Sequence, residues 1–305
     1  MMTDKGLLSQ FIKAEAIRLG FDVCGIAKAG TVTTETTDFC NKWINEGKHG
    51  TMHYLERNRE KRYDPTLLVE GCKSIVVVAM NYAPARPLHC ISSYALGEDY
   101  HKIVKDRLYL LLKSINEKTG CRGRAFCDSA PVLERYWAIQ AGLGIIGRNH
   151  QLLIPGMGSY FFIGELFIDI ETEYDTPQDE RNCGNCMKCI ENCPTGALSE
   201  TGFDARKCLS YLTIEYRDEL PDGIEKKMGE CFYGCDQCLT SCPHNRAAKP
   251  NKTPEFQPKE ELLQINKEHW HSLTKDEYDR LFNKSAVERC GYEQLMRNIK
   301  ATKGK

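Results

Sequence analysis

The chain has 305 residues, 41% of them hydrophobic, and its formal net charge is −1 at pH 7. This length suits one large domain or two ordinary ones. The near-zero charge excludes a general affinity for polyanions, and no apolar run is long enough to span a membrane. The N-terminal stretch has neither a signal-peptide core nor a twin-arginine motif. Sixteen cysteines in such a chain predict a reducing cytoplasm and metal ligation.

The first half of the chain reads as alternating helices and strands. Apolar residues at helical spacing predict helices at 7–19, ending near Gly20, and at 34–59, with a break at 47–50. A further helix is predicted at 99–118. Strands are predicted at 21–27, 74–80, 124–127 and 160–170, and the unbroken β-branched run at 74–80 is the clearest of them.

The strand predicted at 124–127 ends directly before Asp128. One interpretation is that the Asp128 carboxyl caps a helix whose first turn contains Pro131. Another is that Asp128 is a general acid held in a buried position. Glu134 and Arg135, about one turn further on, are expected to form a structural pair. The local pattern leaves Asp128 open between cap and acid.

Residues 142–147 match the dinucleotide-binding pattern G-x-G-x-x-G letter for letter. That fingerprint has to follow a strand and open a helix. Here the glycines follow a helical segment and lead into Arg148 and Asn149, so the nucleotide interpretation is disfavoured. A tight turn, or a close approach of the backbone to a large ligand, is the preferred interpretation.

Two cysteine runs dominate the second half. Each ends in Cys-Pro, and two further cysteines lie between them: the first run is Cys183, Cys186, Cys189 and Cys193, the intervening pair is Cys208 and Cys231, and the second run is Cys235, Cys238 and Cys242. In two-cluster ferredoxins, C-x2-C-x2-C holds one [4Fe–4S] cluster and the Cys before Pro reaches the neighbouring one. Structural zinc and disulfides are weaker alternatives.

This scheme assigns all but one ligand of two clusters. Cluster I takes Cys183, Cys186, Cys189 and Cys242, and cluster II takes Cys193, Cys235 and Cys238. The last ligand of cluster II is either Cys208 or Cys231, and spacing does not choose between them. Most of the remaining cysteines are expected to be small buried hydrophobic residues: Cys24, Cys40, Cys72, Cys90, Cys121, Cys127, Cys231 and Cys290.

Beyond residue 250 the chain is polar and then helical, with helices predicted at 275–282, capped by Thr274, and at 286–299. The pattern divides the chain into an α/β region at 1–175, a ferredoxin-like region with two [4Fe–4S] clusters at 176–250, and a C-terminal helical segment at 251–305 that packs on the core. The predicted fold class is therefore α/β, or α+β, with a ferredoxin-like domain.

Several longer stretches carry a resemblance that no single motif carries. They are MHYLER at 52–57, RYDP at 62–65, NY at 81–82, YALGEDYH at 94–101, DSAPVLER at 128–135, AGLGIIGRN at 141–149, FIGEL at 162–166 and DARKCLSYLTIE at 204–215. Together with the cysteine runs, they resemble the epoxyqueuosine reductases, cobalamin-dependent iron–sulfur enzymes of tRNA queuosine synthesis. The resemblance covers nearly the whole chain.

The resemblance implies roles for particular residues. Cys208 is the remaining ligand of cluster II, Asp128 is the catalytic proton donor, and the α/β region at 1–175 binds cobalamin. The residues implied around the corrinoid are Arg57, Tyr94, His101, Asp128, Gly142, Gly144, Gly147, Asn149 and Ser210. Two departures are noted. The helical-repeat domain found in many members is not expected in this short form, and no Asp-x-His-x-x-Gly motif is present, so no histidine is assigned to cobalt.

The implied reaction is the two-electron reduction of an epoxide to an alkene, with loss of water, on the modified wobble base of tRNA. The expected partners are tRNA and an external electron donor such as a flavodoxin or ferredoxin, and the expected state is a monomer. One rival is a corrinoid iron–sulfur reductase of a small molecule, similar to reductive dehalogenases, which usually carry a twin-arginine signal. The other is a ferredoxin-type electron carrier without chemistry of its own, which needs no Asp128 motif.

Overall fold

The computed structural model describes residues 4–178 and 183–302. Its helices are α1 (Lys5–Arg18), α2 (Thr34–Asn45), α3 (Arg59–Tyr63), α4 (Tyr100–Thr119), α5 (Glu134–Gln140), α6 (Lys188–Glu191), α7 (Leu209–Ile214), α8 (Glu225–Met228), α9 (Gln237–Thr240), α10 (Glu260–Gln264), α11 (Lys267–His271), α12 (Lys275–Phe282) and α13 (Gly291–Ala301). Its strands are β1 (Val23–Lys28), β2 (Ser74–Asn81), β3 (Gly123–Phe126), β4 (Ile145–Ile146), β5 (Leu152–Leu153), β6 (Phe161–Ile168), β7 (Leu198–Ser199) and β8 (Gly202–Phe203).

The first half is built on a four-stranded sheet in the order β1-β2-β6-β3, with every neighbouring pair antiparallel. In β2, Val76, Val78 and Met80 join the core formed with α1 and α4. The alternate residues Ile75 and Val77 join the core formed with α5. Because successive side chains of a strand point to opposite faces, this alternation buries both faces of the sheet. The mixed class is confirmed, and antiparallel pairing makes it α+β.

Antiparallel pairing brings the ends of β2 and β3 and the start of β6 to the same end of the sheet. Asn81 at the end of β2 pairs with Phe161 at the start of β6, and Phe126 at the end of β3 pairs with Glu165 four residues further along β6. The segment that follows β3 therefore begins at this end, beside the start of α4. Asp128 lies in that segment.

The structure agrees with the predicted strands and long helices but changes three helix boundaries. After α2 the chain turns at Gly47 and Gly50, both with positive φ, and continues through a 3-10 turn and the short α3 rather than one helix. Helix α5 begins at Glu134, so Pro131 is not in its first turn. The segment between β3 and α5 instead has two short-range backbone hydrogen bonds, from Ser129 N–H to Cys127 O and from Val132 N–H to Ala130 O.

The third change is near the C-terminus, where the helix predicted at 286–299 is divided. A 3-10 turn at Ala286–Arg289 is followed by α13, and Gly291 at the junction has a φ of 76°. The prediction for 275–282 is confirmed, since α12 spans Lys275–Phe282 and Thr274 and Glu277 form a capping box at its start.

The cysteine-rich segment consists of short elements joined to the first half by backbone hydrogen bonds. Ala205 N–H donates to Lys48 O, and Phe232 N–H donates to Cys90 O. The C-terminal helices pack around their own apolar core, in which Trp270, Phe282 and Leu295 contact a group that includes Tyr233. No helix among the described residues is long and apolar enough to cross a membrane.

All sixteen cysteines lie within the described ranges, and none forms a disulfide there. Of the eight outside the cluster scheme, four are buried, namely Cys72, Cys121, Cys127 and Cys290. The other four, Cys24, Cys40, Cys90 and Cys231, are only partly buried. The prediction that most of these eight cysteines are buried is therefore correct for only four of them.

Candidate functional site

Asp128 is held in an uncommon backbone conformation, with a φ of 56°. Its backbone N–H donates to Oε1 of Glu134, and its Oδ2 accepts a hydrogen bond from the phenol of Tyr100. Left-handed φ values in non-glycine residues are uncommon and persist where the surroundings enforce them. Helix α5 has Leu133 at its N-cap and no side-chain cap, so the interpretation of Asp128 as a helix cap is wrong.

The Asp128 side chain is 58% exposed, which differs from the buried position expected for it. Three aromatic side chains surround this open carboxyl. Tyr100 stacks on His101 with ring centroids 4.1 Å apart, and Nε2 of His101 lies 3.8 Å from Oδ2 of Asp128. Tyr94 lies edge-on to Tyr100 at 6.1 Å. The structure therefore brings Tyr94, His101 and Asp128 together.

The hydrogen-bonding states of these groups follow from their surroundings. Burial, followed by the nearby Asp128 charge, raises the pKa of Tyr100 well above its usual value, so its phenol remains a donor at neutral pH. Nδ1 of His101 lies 2.6 Å from Oδ1 of Asp99, which orients the imidazole. The Tyr94 phenol is 3.2 Å from that of Tyr233. The exposed Asp128 carboxyl thus lies against a fixed donor.

Two further carboxyls lie behind Asp128, and sequence reasoning missed them as a pair. Glu165 is fully buried in β6, and among the described residues neither of its carboxyl oxygens has a hydrogen-bond partner. Burial raises the pKa of Glu134 to about 8 and that of Glu165 well above its usual value, and the Asp128 charge raises both. The expected Glu134–Arg135 pair is not the main contact, because Arg135 donates to Gln151.

The four cysteines assigned to cluster I surround one cavity. Cys183, Cys186, Cys189 and Cys242 line it together with the segment at 147–149, and its empty volume is about 350 Å³. The backbone N–H of Arg148 donates to Sγ of Cys183 at 3.4 Å. Four thiols around one cavity are the donor set that a [4Fe–4S] cluster requires, so these residues fit that group.

The cysteines assigned to cluster II also lie near one another. Burial raises the pKa of the Cys235 thiol to about 12, and the neighbouring sulfurs of Cys208 and Cys193 raise it further. Cys238 is affected by Cys235 and Cys208 in the same way. Mutual influence among Cys193, Cys208, Cys235 and Cys238 places all four sulfurs in one neighbourhood, which is the arrangement expected for a second cubane.

Cys208 and Cys231 differ in their surroundings. Burial raises the pKa of the Cys208 thiol, the backbone N–H groups of Tyr211 and Ser210 lower it, and the neighbouring Cys193 sulfur raises it. The Cys208 sulfur in turn raises the pKa of Cys235 and Cys238. The Cys231 thiol donates to the carbonyls of Tyr233 and Gly234, at 3.6 and 3.3 Å. The position of Cys208 beside the other three cysteines favours it as the ligand.

The glycine segment predicted near the corrinoid has protein backbone as its close neighbour. A Cβ atom at Gly142 would lie 2.7 Å from Thr176 O, and one at Gly144 would lie 2.2 Å from Leu153 O. Ile145–Ile146 forms a hairpin with β5 rather than opening a helix, which excludes the dinucleotide fingerprint. Gly147 lines the cluster I cavity, and Nδ2 of the buried Asn149 donates to Cys238 O at 3.4 Å. This segment thus touches both cluster sites.

The exposed Arg57 lies in a loop fixed by a carboxylate between two histidines. Oε1 of Glu56 is 2.8 Å from Nε2 of His49 and 2.9 Å from Nδ1 of His53. These hydrogen bonds, that of His53 first, lower the pKa of Glu56. Tyr54 in the same loop lies under the guanidinium of Arg289, 5.9 Å from its ring centroid. The loop is thereby tied to the C-terminal segment.

A second cavity has an empty volume of about 1200 Å³ and contains none of the predicted site residues. It lies at the end of the sheet where β1 begins and β2 ends, since Asp22 and Asn81 line it; β3, which precedes Asp128, is at the opposite edge of the sheet. Three basic side chains, Arg107, Lys249 and Lys252, also line this cavity.

Comparisons with known proteins agree with this arrangement. Residues 62–129 match the family model "Epoxyqueuosine reductase QueG, DUF1730", and residues 182–245 match "4Fe-4S double cluster binding domain". A protein of Cyclobacterium marinum named epoxyqueuosine reductase is 44% identical over 299 residues, which cover 95% of each chain. The chain belongs to the epoxyqueuosine reductase family. It is therefore an oxidoreductase with two [4Fe–4S] clusters, as predicted.

Solved structures of the family have the same fold. An epoxyqueuosine reductase with an epoxyqueuosine-modified tRNA stem loop has a TM-score of 0.88 and 28% identity, covering 97% of this chain and 80% of that one. A Bacillus subtilis epoxyqueuosine reductase has a TM-score of 0.87 and 27% identity, covering 97% of this chain and 81% of that one. Its structure is described with the catalytic aspartate loop swung out of the active site.

The rival readings find less support. A reductive dehalogenase with a TM-score of 0.50 and 20% identity covers 98% of this chain but 38% of its own, which shows a shared fold alone. A ferredoxin-type carrier does not account for the family match at residues 62–129, which lies outside the cysteine-rich segment and ends just beyond Asp128.

Proposed function

We propose that this chain reduces epoxyqueuosine to queuosine at the wobble position of tRNA, and that Asp128 donates the proton that the reaction needs. Opening the epoxide to an alkene takes two electrons and two protons, and the oxygen leaves as water. The observation that carries the proposal is the exposed Asp128 carboxyl, which is fixed by Tyr100 and Glu134 at the sheet edge. The related enzyme structure with an epoxyqueuosine-modified stem loop supports the substrate.

Asp128 acts where charge develops on the departing oxygen. Expulsion of an alkoxide is unfavourable, so a positioned acid lowers the barrier, typically by a factor of ~10²–10⁴. The Tyr100 phenol donates to Oδ2 of Asp128, which leaves Oδ1 as the oxygen that can present a proton to substrate. Nε2 of His101, 3.8 Å from Oδ2, lies on the same side of the carboxyl as Tyr100. A flipped base has to reach Oδ1 for this chemistry.

The chain's residues fit a corrinoid beside Asp128, because Tyr94 and His101 provide an aromatic, hydrogen-bonding surface around an exposed acid. When bound, the corrinoid would supply a strongly reducing, nucleophilic cobalt centre. Nδ1 of His101 is engaged by Asp99, so His101 serves this surface by orientation rather than as an assigned cobalt ligand. Of the residues implied around the corrinoid, Arg57, Tyr94, His101, Asp128, Gly147, Asn149 and Ser210 would hold the group, whereas Gly142 and Gly144 pack against protein backbone.

Electrons would enter through the two clusters from an external donor such as a flavodoxin or ferredoxin. The ligand assignment is Cys183, Cys186, Cys189 and Cys242 for cluster I and Cys193, Cys208, Cys235 and Cys238 for cluster II. Asn149 supports a short path between them, since it lines the cluster I cavity and donates to Cys238 O at cluster II.

The test is anaerobic reconstitution with iron, sulfide and cobalamin, followed by reaction with tRNA carrying epoxyqueuosine and mass analysis of the nucleoside. The expected product has lost the mass of one oxygen atom. Asp128→Asn, reconstituted in the same way, is the matched control and should leave the epoxide intact. Complete conversion without added cobalamin would contradict the corrinoid assignment, and conversion of the free nucleoside but not of tRNA would contradict the substrate.

A further inference from the structure

His49, His53 and Glu56 lie on the segment between α2 and α3, and their side chains converge. Oε1 of Glu56 is 2.8 Å from Nε2 of His49 and 2.9 Å from Nδ1 of His53. One ligand atom from each residue lies within 4.8 Å of the other two. Two imidazoles and a carboxylate are a donor set that zinc and related transition metals bind in proteins. None of the three residues takes part in the proposed reaction.

The separations between these atoms are close to those around a metal ion. Zinc binds imidazole nitrogen and carboxylate oxygen at about 2.0–2.2 Å in a tetrahedron, so two of its ligand atoms lie about 3.3–3.6 Å apart. The two nitrogen–oxygen distances therefore have to widen by roughly half an ångström. Small side-chain rotations allow this, since the His53 side chain is 66% exposed and that of Glu56 is 43% exposed.

The backbone that carries the three side chains is fixed by neighbouring elements. His49 is buried, with its ring centroid 6.1 Å from that of Trp43 in α2. The backbone N–H of Thr51 donates to the phenol of Tyr211 at 2.9 Å. Gly50 has a φ of 62°, and a Cβ atom there would lie 2.4 Å from the Tyr211 hydroxyl. Because the segment is already ordered, a metal ion loses little affinity to ordering its ligands.

The charge of the group favours a cation. Within the two described ranges, the ion-pair partners of Glu56 are His49 and His53 rather than a lysine or an arginine. A doubly protonated His49 would bury an Nδ1–H without an acceptor, because Nδ1 has no hydrogen-bond partner there. A carboxylate between two neutral imidazoles carries one negative charge, which a divalent cation offsets.

We propose that His49, His53 and Glu56 form a binding site for a divalent transition-metal ion of the zinc class. Nε2 of His49, Nδ1 of His53 and Oε1 of Glu56 are the protein ligands, and the exposed side of the group leaves the remaining position to water. Mg²⁺ and Ca²⁺ prefer oxygen ligands and do not suit a site with two nitrogens. The site shares no ligand with the two clusters, and no step of the proposed reaction depends on it.

The segment that carries the ligands also contacts two other parts of the chain. Tyr54 lies under the guanidinium of Arg289, 5.9 Å from its ring centroid, and Thr51 is bonded to Tyr211 of α7. A bound ion fixes the segment between these two contacts. An ion that binds the folded chain and not the unfolded one stabilises the fold, so zinc should raise the thermal midpoint.

The first experiment identifies the ligands of bound zinc. The full chain with both clusters reconstituted is equilibrated anaerobically with about one Zn²⁺ per chain, and X-ray absorption is measured at the zinc edge. The expected ligands are nitrogen and oxygen at about 2.0–2.2 Å, with iron content unchanged. Sulfur ligands at about 2.3 Å would place the zinc at cysteines and would overturn the proposal.

The second experiment removes single ligands. His53→Gln and Glu56→Gln change exposed side chains, and iron content and the thermal midpoint without zinc verify their folding. Loss of a hydrogen bond that supports a metal ligand already costs about 10–100-fold in affinity, so loss of a ligand should cost at least tenfold. Competition with a chromogenic chelator measures this affinity. Zinc should raise the thermal midpoint of the wild type and have little effect on either variant.

His269→Gln is the matched control. Nε2 of His269 is 2.9 Å from Oε1 of Glu277 at the surface, but these two residues do not belong to a three-ligand group among the described residues. This variant should bind zinc as tightly as the wild type, and Mg²⁺ should leave the midpoint of every variant unchanged. Equal zinc affinity in the wild type, His53→Gln and Glu56→Gln, or an equal stabilisation by Mg²⁺, would overturn the proposal.

Discussion

The phenol of Tyr100 donates a hydrogen bond to Oδ2 of Asp128 and so joins the first turn of α4 to the segment that follows β3. The Tyr100 ring also stacks on Phe162 of β6, with centroids 4.0 Å apart and an interplanar angle of 3°. Its donor is therefore placed by packing that does not depend on Asp128. Asp128 is thus held from the α4 side by a phenol and from the α5 side by Glu134.

Asp128→Asn should abolish turnover while keeping the fold. Asparagine is among the residues that best tolerate a left-handed φ, and its amide oxygen can still accept from Tyr100, but it has no acidic proton to give. We expect both clusters to be retained and kcat to fall by roughly two orders of magnitude or more. Single-turnover assays on modified tRNA, with iron analysis of the same sample, provide the measurement.

Asp128→Ser is a second variant at this position. Serine is a competent helix cap but a poor residue at a φ of 56°, so this variant should be inactive and also less ordered around the loop. Near-native turnover in either variant would move the proton donor elsewhere, with His101 or a water molecule next to be tested.

Tyr100→Phe should have a smaller effect than loss of the acid. The ring stacking on Phe162 and His101 is kept, while the hydrogen bond to Asp128 is removed. A hydrogen bond to a charged group contributes about 1.5–3 kcal/mol, so we expect kcat to fall about tenfold to a hundredfold. Tyr94→Phe, which removes a contact to Tyr233 instead, is the matched control and should be close to wild type. Equal losses in both variants would indicate a general disturbance of the aromatic cluster.

The parts of the fold that were predicted correctly are those fixed by local pattern. The β2 run and the capped α12 helix carry their periodicity and cap within a few residues. The predicted start of α5 was wrong because a contact between Glu134 and the Asp128 backbone determines the conformation of the segment after Asp128. The segment contains Pro131, and proline usually marks the first turn of a helix. The contact between Glu134 and the Asp128 backbone overrides that local signal.

The candidate site likewise has features that local sequence pattern predicts and features that depend on contacts between distant segments. The cysteine spacing predicts which thiols share a cluster, because each run has to wrap around one cube. The closeness of Glu134 to Glu165 had no local signal, since Glu165 lies in an otherwise apolar strand and Glu134 belongs to a helix far from it in sequence. An acidic residue within a fully buried strand is the one indication that sequence offers for such a pair.

Cluster content tests the cysteine assignment. Anaerobically purified protein should contain about eight iron and eight sulfide per chain, the content of two cubanes. Cys208→Ala should lower this content and alter the cluster II spectrum, because it removes a sulfur that lies near those of Cys193, Cys235 and Cys238. Cys231→Ala should leave the content nearly unchanged, since its thiol donates to carbonyls. The opposite result for the two variants would reverse the assignment.

Binding of tRNA should depend strongly on salt. The net charge of −1 means that phosphate contacts have to come from a local basic surface. Each neutralised phosphate releases counterions, so the affinity for modified tRNA should fall steeply between low and moderate salt. Filter binding or fluorescence anisotropy at several salt concentrations measures the slope. A flat dependence would point to a small-molecule substrate.

Lys249 and Lys252 are the residues to change first, since both line the large cavity at the end of β2. Their double replacement by Gln should reduce the salt slope, whereas replacement of Lys5, which is paired with Glu171 at the surface, should not.

The buried pair should also make the protein less stable as pH rises. Glu134 and Glu165 have pKa values raised in the folded state by burial, to about 8 for Glu134, whereas in the unfolded chain a glutamate titrates near pH 4.3. Between these values the folded state binds more protons than the unfolded state, so the free energy of unfolding falls with pH, by up to about 1.4 kcal/mol per pH unit for each proton that the folded state retains. Glu165→Gln removes one such group and should raise the anaerobic thermal midpoint at pH 8 relative to wild type, with little difference near pH 4.5.

Glu171→Gln is the control, because Glu171 is an exposed carboxyl whose pKa is lowered by Lys5. A wild-type midpoint that does not fall between pH 5 and 8 relative to Glu165→Gln would show that the carboxyls behind Asp128 titrate normally.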